Sequence, residues 1–320
     1  KLCLGLLDNS PPHQTRVFGD IDGKLIDLRL AYATLLIETG EKESAYEVAA
    51  FYFPPTVRAF LERGEKSLKA LEDVLSLVSQ NGAQNFRGAA GEKVAYSPNE
   101  IRILPPLPDP GKSIVVGFAD RVRVEAIPRT EIPTGFYKLP QTFVTSGAPI
   151  VWPKFSQEVD ADACFAIVIG KAGKRIAAEE TWQHVAGATL VIDITARDVN
   201  RREGATTNNL LGKNFPSSTS LGPAVLLTRS RKELESLAAT LSLDGITKQR
   251  FALRDAVFSI EQIIARWSIL GIKPGDWLAI GASMSLESNR LQNPVPLRLG
   301  SAIRCSSSAI GELSHQVVSS

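Results

Sequence analysis

Short apolar segments separated by Gly, Pro or polar residues dominate the chain after residue 111 and predict a strand-rich region. Two amphipathic segments interrupt them and predict helices, AAEETWQHV at 177–185 and SIEQIIARWSILG at 259–271. In the second segment, Ser259 and Gln262 have the spacing of a capping box, and Gly271 stands at the usual C-terminal position. Many short strands with few helices favour a β-sandwich or rolled sheet over a parallel βαβ fold. The predicted strands are SIVVGF (113–118), PIVWP (149–153), CFAIVIG (164–170), TLVIDI (189–194), AVLLT (224–228), LSLDG (241–245) and WLAIG (277–281).

The first hundred residues have a different pattern and predict a small α+β unit. Asp22-Gly23 lies between two β-prone runs, which is a hairpin signal. LRLAYATLLIE and KSLKALEDVLSLVSQNG have helical periodicity, and the latter ends at Gly82. Four prolines in the segment LPPLPDPGK then exclude helix and inner strand. We therefore predict an N-terminal domain at 1–104, a proline-rich connector at 105–112 and a second domain at 113–320.

Composition and charge narrow the class of protein. Of the 320 residues, 44% are hydrophobic and 22% are charged, and the formal net charge is +2, as in ordinary soluble globular proteins. Scattered charges of both signs argue against nucleic acid or an anionic membrane as a partner. The three cysteines, Cys3, Cys164 and Cys305, are too dispersed for a disulfide framework. With no signal-like start and no apolar run of about 18–20 residues, we expect a reducing cytoplasm.

Two acidic positions on separate predicted strands suggest a site for a hard cation. Asp162 lies in VDADACFAIVIG (159–170), and Asp193 lies in VIDITARDVN (191–200). Carboxylates brought together from different elements are typical ligands of such cations. The alternative is that both carboxylates are solvated or cap turns.

These two stretches resemble the fumarylacetoacetate hydrolase (FAH) family, whose patterns there are D-Y-E-x-E-L-x-x-V-I-G and N-D-x-[ST]-A-R-D. The resemblance continues through nearly the whole C-terminal part. It implies an α+β fold, an FAH-type mixed β-sandwich roll with a smaller N-terminal α+β domain, and a homodimer. The further matching segments are LPPLPDPGKSIVVGF, FYKLP, TWQHVAGATL, LLGKNFPSSTSLGP, FSIEQIIARWSILGIKPGDWLAIGA and GELSHQVV.

The resemblance also implies a chemistry. Family members hold a divalent cation, Mg²⁺, Mn²⁺ or Ca²⁺, with Glu, Glu and Asp, and the cation chelates a 1,3-dicarbonyl or 2-oxo acid. It acts as a Lewis acid that stabilises an enolate. A lysine of the G-K segment holds charge on the substrate. A His and a nearby Glu on a lid activate water.

This chain departs from the family at the metal positions. Asp162 replaces the first Glu and is one methylene shorter, Cys164 replaces the second Glu, and Asp193 is retained. A thiol is a poor ligand for Mg²⁺ or Ca²⁺, so a site that includes Cys164 would favour Zn²⁺ or Fe²⁺. A buried, inert thiol is the alternative for Cys164, and a protein without a metal is the alternative for the site.

The candidate catalytic residues are cationic. Lys213 keeps the G-K position and Lys138 the F-L-K-P position, whereas Arg123 stands where the lid has His and Ala126 where it has Glu. Arginine stays protonated at neutral pH and cannot act as a base, but Arg121 and Arg123 on the lid could together grip a substrate carboxylate. The alternative is that Arg121, Arg123 and Glu125 form a solvated loop face.

Two other positions are assigned structural roles. We expect His184 to be a packing histidine, and Arg197 and Asp198 to form an ion pair that fixes the turn beside the metal positions.

Three functions remain open. The first is a divergent FAH-family enzyme that promotes tautomerisation, decarboxylation, cyclisation or C–C cleavage of a small 2-oxo acid or 1,3-dicarbonyl compound, with lysine charge replacing much of the metal's role. The second is a non-catalytic binding or structural protein on the same scaffold. The third keeps a metal bound by Asp162, Cys164 and Asp193.

Overall fold

The computed structural model describes residues 1–7, 11, 14–116, 132–204, 210–281, 284–285 and 295–320. These residues form two compact units, Lys1–Leu107 and Pro108–Ser320. No helix among the described residues is long and apolar enough to cross a membrane.

The described residues of the first unit form one antiparallel sheet and four α-helices. The strand order is β4-β3-β2-β1-β5. The strands are β1 (Leu2–Leu7), β2 (Arg16–Ile21), β3 (Lys24–Asp27), β4 (Ala95–Tyr96) and β5 (Ile101–Leu104). The helices are α1 (Leu28–Glu38), α2 (Ala45–Tyr52), α3 (Val57–Glu62) and α4 (Glu65–Asn81).

The predicted hairpin and both predicted helices of this unit are confirmed. Asp22 and Gly23 form the two-residue turn between β2 and β3 with φ of 49° and 74°, the conformation that a type I′ turn requires. Helix α1 begins after Asp27, whose carboxylate accepts a hydrogen bond from the Leu30 amide. Helix α4 ends before Gly82, which has φ of 78°.

The second unit is a sandwich of two mixed sheets. One has the order β12-β11-β10-β15-β6-β7, with β8 on β12 and β17 on β10, and the other has the order β16-β14-β13-β18-β19-β9. Most pairs are antiparallel, but β15–β6, β12–β8 and β19–β9 are parallel. The strands are β6 (Ser113–Val116), β7 (Gly135–Tyr137), β8 (Phe143–Val144), β9 (Ile150–Val151), β10 (Val159–Ile169), β11 (Val185–Ala196), β12 (Thr219–Leu227), β13 (Ala238–Leu243), β14 (Ile246–Ala252), β15 (Trp277–Ile280), β16 (Met284–Ser285), β17 (Val295–Pro296), β18 (Ala302–Ser307) and β19 (Gly311–Val318).

One hydrophobic core fills the space between these sheets. It includes Phe165 of β10 and Ile192 of β11 from the first sheet, and Leu241, Ile303 and Leu313 from the second. Apolar side chains of two inner faces packed together define a sandwich. The predicted fold class, α+β with a mixed β-sandwich, is therefore confirmed.

The helices of this unit differ in part from the prediction. Within the described ranges they are α5 (Arg197–Arg202), α6 (Arg231–Glu235) and α7 (Ile260–Trp267). Ser259 and Gln262 make both hydrogen bonds of the predicted capping box, and Gly271 has φ of 72°. The segment predicted as a helix at 177–185 is instead a 3₁₀ helix, Ala178–Gln183, which is the tighter form used for short connections.

Candidate functional site

Strands β10 and β11 place the predicted metal positions on one side of the first sheet. Side chains alternate along a strand, and the apolar residues between these positions belong to the core. The opposite side carries Asp160, Asp162 and Cys164 of β10, with Asp193 and Thr195 of β11, and we call these five residues the polar strand face. Asp162 lies directly opposite Asp193 in the antiparallel pairing. Two carboxylates in this position repel each other unless positive charge lies beside them.

Lys213 supplies the first of these positive charges. Its ammonium lies 2.6 Å from Asp193 Oδ2 and 2.6 Å from Thr195 Oγ1, and it sits 4.9 Å from the centre of the Phe136 ring. The side chain is almost buried. Gly212 allows this approach, because a Cβ built there would be 2.8 Å from the Asn200 backbone. The glycine of the G-K pair is thus required by backbone packing.

Lys138 supplies the second positive charge from the segment that follows β7. Its ammonium lies 2.9 Å from Asp193 Oδ1 and 3.0 Å from the Ser218 carbonyl oxygen, and it also donates to the Lys213 carbonyl oxygen. The Lys138 backbone is held by hydrogen bonds to Ser113. All three ammonium hydrogens therefore have acceptors inside the protein, and each oxygen of Asp193 accepts from a different lysine.

Asp162 and Cys164 have different surroundings. Gln249, which is fully buried on β14, donates from Nε2 to Asp162 Oδ1 at 3.0 Å and accepts from the Ala163 amide at 3.3 Å. Cys164 is 2% exposed, and a Cβ built on Gly281 would be 3.0 Å from its sulfur atom. Asp162 and Asp193 are both buried on strands, so the alternative of solvated or turn-capping carboxylates is wrong.

Burial and neighbouring charge shift the pKa values in this cluster. Burial lowers the pKa of Lys138 to about 8, although the charge of Asp193 opposes this shift. Burial acts to raise the pKa of Asp193, but the two lysines outweigh it and hold that pKa below its ordinary value. Burial, together with the nearby carboxylates Asp193 and Asp162, raises the pKa of Cys164 well above its usual range. Asp193 is thus an ionised carboxylate and Cys164 a neutral thiol at pH 7.

The predicted ion pair between Arg197 and Asp198 is wrong, because each residue has another partner. Arg197 binds Asp160 through two hydrogen bonds of 2.6 and 2.9 Å. Asp198 accepts from the Ser156 hydroxyl at 2.5 Å and from Arg202. The bidentate arginine pair neutralises the third carboxylate of the polar strand face and fastens the start of α5 to β10.

The remaining candidates have different outcomes. Arg123, with the lid positions 121, 125 and 126, lies outside the described residues, so its role stays a prediction. His184 is buried, and its Nδ1 lies 2.9 Å from the Lys171 carbonyl oxygen, which agrees with a packing role. His315 carried no pattern in the sequence, yet its Nε2 lies 2.6 Å from the Ser220 hydroxyl. Its Nδ1 lies 2.7 Å from the Ala148 carbonyl oxygen. Since His315 is on β19 and Ser220 is on β12, the contact between them links the two sheets.

The donors on the polar strand face do not fit a hard divalent cation. Both oxygens of Asp193 accept hydrogen bonds from ammonium groups, one oxygen of Asp162 accepts from Gln249, and Cys164 offers a neutral thiol. Mg²⁺, Mn²⁺ and Ca²⁺ require several oxygen ligands, and Zn²⁺ or Fe²⁺ would require the thiolate of Cys164. Within the described ranges, no three His, Cys, Asp or Glu side chains are grouped closely enough to hold a metal ion.

Comparison with known proteins assigns the chain to a family. Residues 114–318 match the family model described as the C-terminal domain of fumarylacetoacetate (FAA) hydrolase. The chain belongs to the fumarylacetoacetate hydrolase family. It is 30% identical over 306 residues to the human protein named oxaloacetate tautomerase FAHD2B, mitochondrial, with 93% of this chain and 92% of that protein covered. It is 32% identical over 231 residues to oxaloacetate tautomerase YisK of Bacillus subtilis, with 69% and 75% covered.

Solved structures of FAH-family proteins share the fold. A probable 2-hydroxyhepta-2,4-diene-1,7-dioate isomerase from Mycobacterium abscessus matches with a TM-score of 0.70 at 22% identity, and the match covers 100% of this chain and 98% of that one. Maleylpyruvate hydrolase from Sphingobium sp. SYK-6, in complex with manganese(II) and pyruvate, matches with a TM-score of 0.68 at 17% identity, with 99% of each chain covered. The predicted FAH-type fold is therefore confirmed.

Proposed function

We propose that this FAH-family protein is an enzyme that acts on a small 2-oxo acid and interconverts its keto and enol forms, as the names of its relatives suggest. The buried arrangement of one carboxylate between two lysine ammonium groups carries the proposal. An ammonium hydrogen-bond donor held in place in a water-poor site stabilises an enolate oxygen far better than the same donor in water. In this proposal the catalytic His and the metal centre of the family pattern are depleted.

Lys213 is the residue that we propose contacts the substrate. Its side chain keeps 8% of its surface accessible, whereas that of Lys138 has none. The described protein groups supply two acceptors to its ammonium, Asp193 and Thr195, so one hydrogen remains for a substrate oxygen. Phe136 lies beside the same ammonium and provides an apolar surface for the substrate.

Lys138 then has a positioning role. Its three hydrogens are directed at Asp193, Ser218 and the Lys213 carbonyl oxygen. It fixes the carboxylate that Lys213 binds and the backbone from which Lys213 projects. Since it reaches no surface, it orders the substrate-contacting lysine and does not itself touch the substrate.

The reaction needs only proton movement. In going from enol to ketone, the hydroxyl proton passes to water and the adjacent carbon takes a proton from water. The double bond moves from C=C to C=O, no bond between heavy atoms is broken or formed, and no oxidant is required. The intermediate enolate carries its negative charge on the oxygen that Lys213 would bind. Decarboxylation, cyclisation and C–C cleavage of oxo acids or 1,3-dicarbonyl compounds pass through the same kind of anion.

The loss of ultraviolet absorbance by the enol form of oxaloacetate tests this proposal. All assays contain a chelator, because free divalent cations also promote this reaction. We expect the protein to accelerate ketonisation and Lys213→Met to reduce kcat/KM by about 100-fold or more, the effect of removing one group that stabilises an oxyanion. Lys174→Met, at an exposed lysine outside the polar strand face, is the matched control.

A protein that does not accelerate the reaction would refute the proposal for this substrate. Equal rates for Lys213→Met and the unaltered protein would show that the lysine cluster is not the site. A series of 2-oxo acids and 1,3-dicarbonyl compounds extends the test to the other reactions.

The second candidate is a protein that binds an oxo acid without turnover. It is favoured by the loss of the lid pair, since Arg123 and Ala126 replace the His and Glu of the family pattern. Saturable binding of an oxo acid, measured by calorimetry without product formation and lost in Lys213→Met, would support it.

Assembly and compartment also belong to the proposal. We propose a homodimer, by resemblance to the family, and a reducing compartment. Cys3, Cys164 and Cys305 are all buried and unpaired, which agrees with a reducing compartment. The human relatives are named mitochondrial, so sedimentation and cell fractionation are the measurements that decide.

A further inference from the structure

We infer that the polar strand face has exchanged the family's divalent cation for the two lysine ammonium groups, and that Cys164 and Asp162 are the two positions that prevent cation binding. This inference rests on the proposed function for its catalytic meaning, but its test is a binding measurement.

The first step is the balance of charge. The family pattern sets three carboxylates against the lysines of F-L-K-P and G-K, which leaves one negative charge for a cation. In this chain Cys164 carries no carboxylate, so Asp162 and Asp193 are set against Lys138 and Lys213, while Asp160 is paired with Arg197. Two negative and two positive charges cancel. A divalent cation here would stay uncompensated in a buried place, which is strongly unfavourable.

The carboxylate oxygens of Asp193 and Asp162 already have hydrogen-bond donors from the protein. Lys138 and Lys213 bind one oxygen each of Asp193, at 2.9 and 2.6 Å. A cation bound to either oxygen of Asp193 would lie beside an ammonium group that has little access to water, and the two positive charges would repel each other. Gln249 likewise engages Asp162 from the second sheet. The carboxylates are already ordered by cationic or amide donors.

The third step is the space around Cys164. Its sulfur lies 3.0 Å from the position of a Cβ on Gly281, so the thiol fills the space beside the end of β15. Asp162 has a shorter reach than Glu, and no carboxylate comes from position 164 to meet it. The two departures from the family pattern therefore act together: Cys164 removes a ligand, and Asp162 shortens one.

Titration of Mn²⁺ into the protein by calorimetry tests the inference. The unaltered protein and the double variant Asp162→Glu with Cys164→Glu are compared under the same conditions. We expect no measurable binding to the unaltered protein. For the variant we expect a Kd at least about 100-fold below the detection limit of the titration, because even changes in residues that only support the metal ligands alter metal affinity by about 10–100-fold. Metal content after purification provides a second readout.

The volume beside Cys164 is small, so Cys164→Asp is the companion variant if the double variant does not fold. Aspartate is close to cysteine in size and also restores three carboxylates. Mn²⁺ binding to the unaltered protein would overturn the inference. So would the absence of binding in a folded variant with three carboxylates.

The two proposals fail separately. A protein that binds no Mn²⁺ and also does not turn over oxo acids leaves this inference standing and refutes the catalytic proposal. A protein that turns over oxo acids and binds Mn²⁺ stoichiometrically refutes this inference and leaves the catalytic proposal standing.

Discussion

Replacing Lys138 by methionine tests how strongly the buried lysine cluster contributes to the fold. Methionine keeps most of the side-chain volume but leaves Asp193 Oδ1 without the Lys138 ammonium. The carbonyl oxygens of Lys213 and Ser218 each lose one of two donors, since the Ser218 hydroxyl and the Ile194 amide still bind them. A buried acceptor left unsatisfied costs about 1–3 kcal/mol. Asp193 keeps its ion pair with Lys213, which limits the contribution of the carboxylate to the loss. We expect the unfolding free energy to fall by about 3–5 kcal/mol, the usual cost of breaking a buried ion pair.

Urea unfolding followed by tryptophan fluorescence measures this loss. All four tryptophans, at positions 152, 182, 267 and 277, lie in the second unit, so the signal reports the unit that contains the cluster. Lys112→Met is the control. Lys112 lies 3.8 Å from Asp276 and is partly exposed, and exposed pairs contribute about 0–1 kcal/mol. A loss for Lys138→Met no larger than that of the control would refute the reasoning.

A double-mutant cycle separates the ion pair from the carbonyl contacts. Asp193→Asn removes the charge that Lys138 meets, so Lys138→Met should cost less in that background. Groups in one buried network show coupling of about 0.5–3 kcal/mol. Additive costs would mean that the contacts with Lys213 and Ser218 dominate.

Three further predictions concern single residues. Gly23→Ala should lower the unfolding free energy of the first unit by about 1 kcal/mol in urea titrations, because φ is 74° at this position. No atom lies within 4 Å of the new Cβ, so backbone strain is the whole cost. Asp22→Asn is the control and should be nearly neutral. Burial lowers the pKa of His315, so the folded state keeps it neutral and stability should fall as pH drops below the ordinary value of about 6.5. Thermal unfolding between pH 5 and 8 should therefore show a smaller slope for His315→Asn, and an equal slope would exclude this cause. Gln249→Met should destabilise the protein by about 1–3 kcal/mol in urea, since Asp162 loses a buried donor, and a loss below about 0.5 kcal/mol would contradict this.

Local patterns predicted the elements whose determinants are close in sequence. The Asp22-Gly23 turn, the capping box at Ser259 and the helix end at Gly82 depend on residues within a few positions of each other. The sequence also placed Asp162 and Asp193 on separate strands, and the family resemblance made both of them metal positions. The structure adds that Asp162 and Cys164 lie on one side of β10 and that the pairing of β10 with β11 brings Asp193 opposite Asp162.

The partners of the site residues could not be predicted from local patterns. Lys138 reaches Asp193 across 55 positions, and Gln249 reaches Asp162 across 87, so both contacts depend on sheet packing. Arg197 illustrates the error that results. Its neighbour Asp198 was the nearest opposite charge in sequence, but the strand geometry directs Arg197 to Asp160 instead.

We propose that the lysine ammonium groups, in place of a resident divalent cation, support the chemistry of this site. The decisive measurement is ketonisation of enol oxaloacetate before and after exhaustive chelation, on protein of measured metal content. We expect less than about 0.1 metal ion per chain, because the charges of the site are already balanced, and a rate that chelation does not change. A rate that is lost on chelation and restored by stoichiometric Mn²⁺ would contradict it.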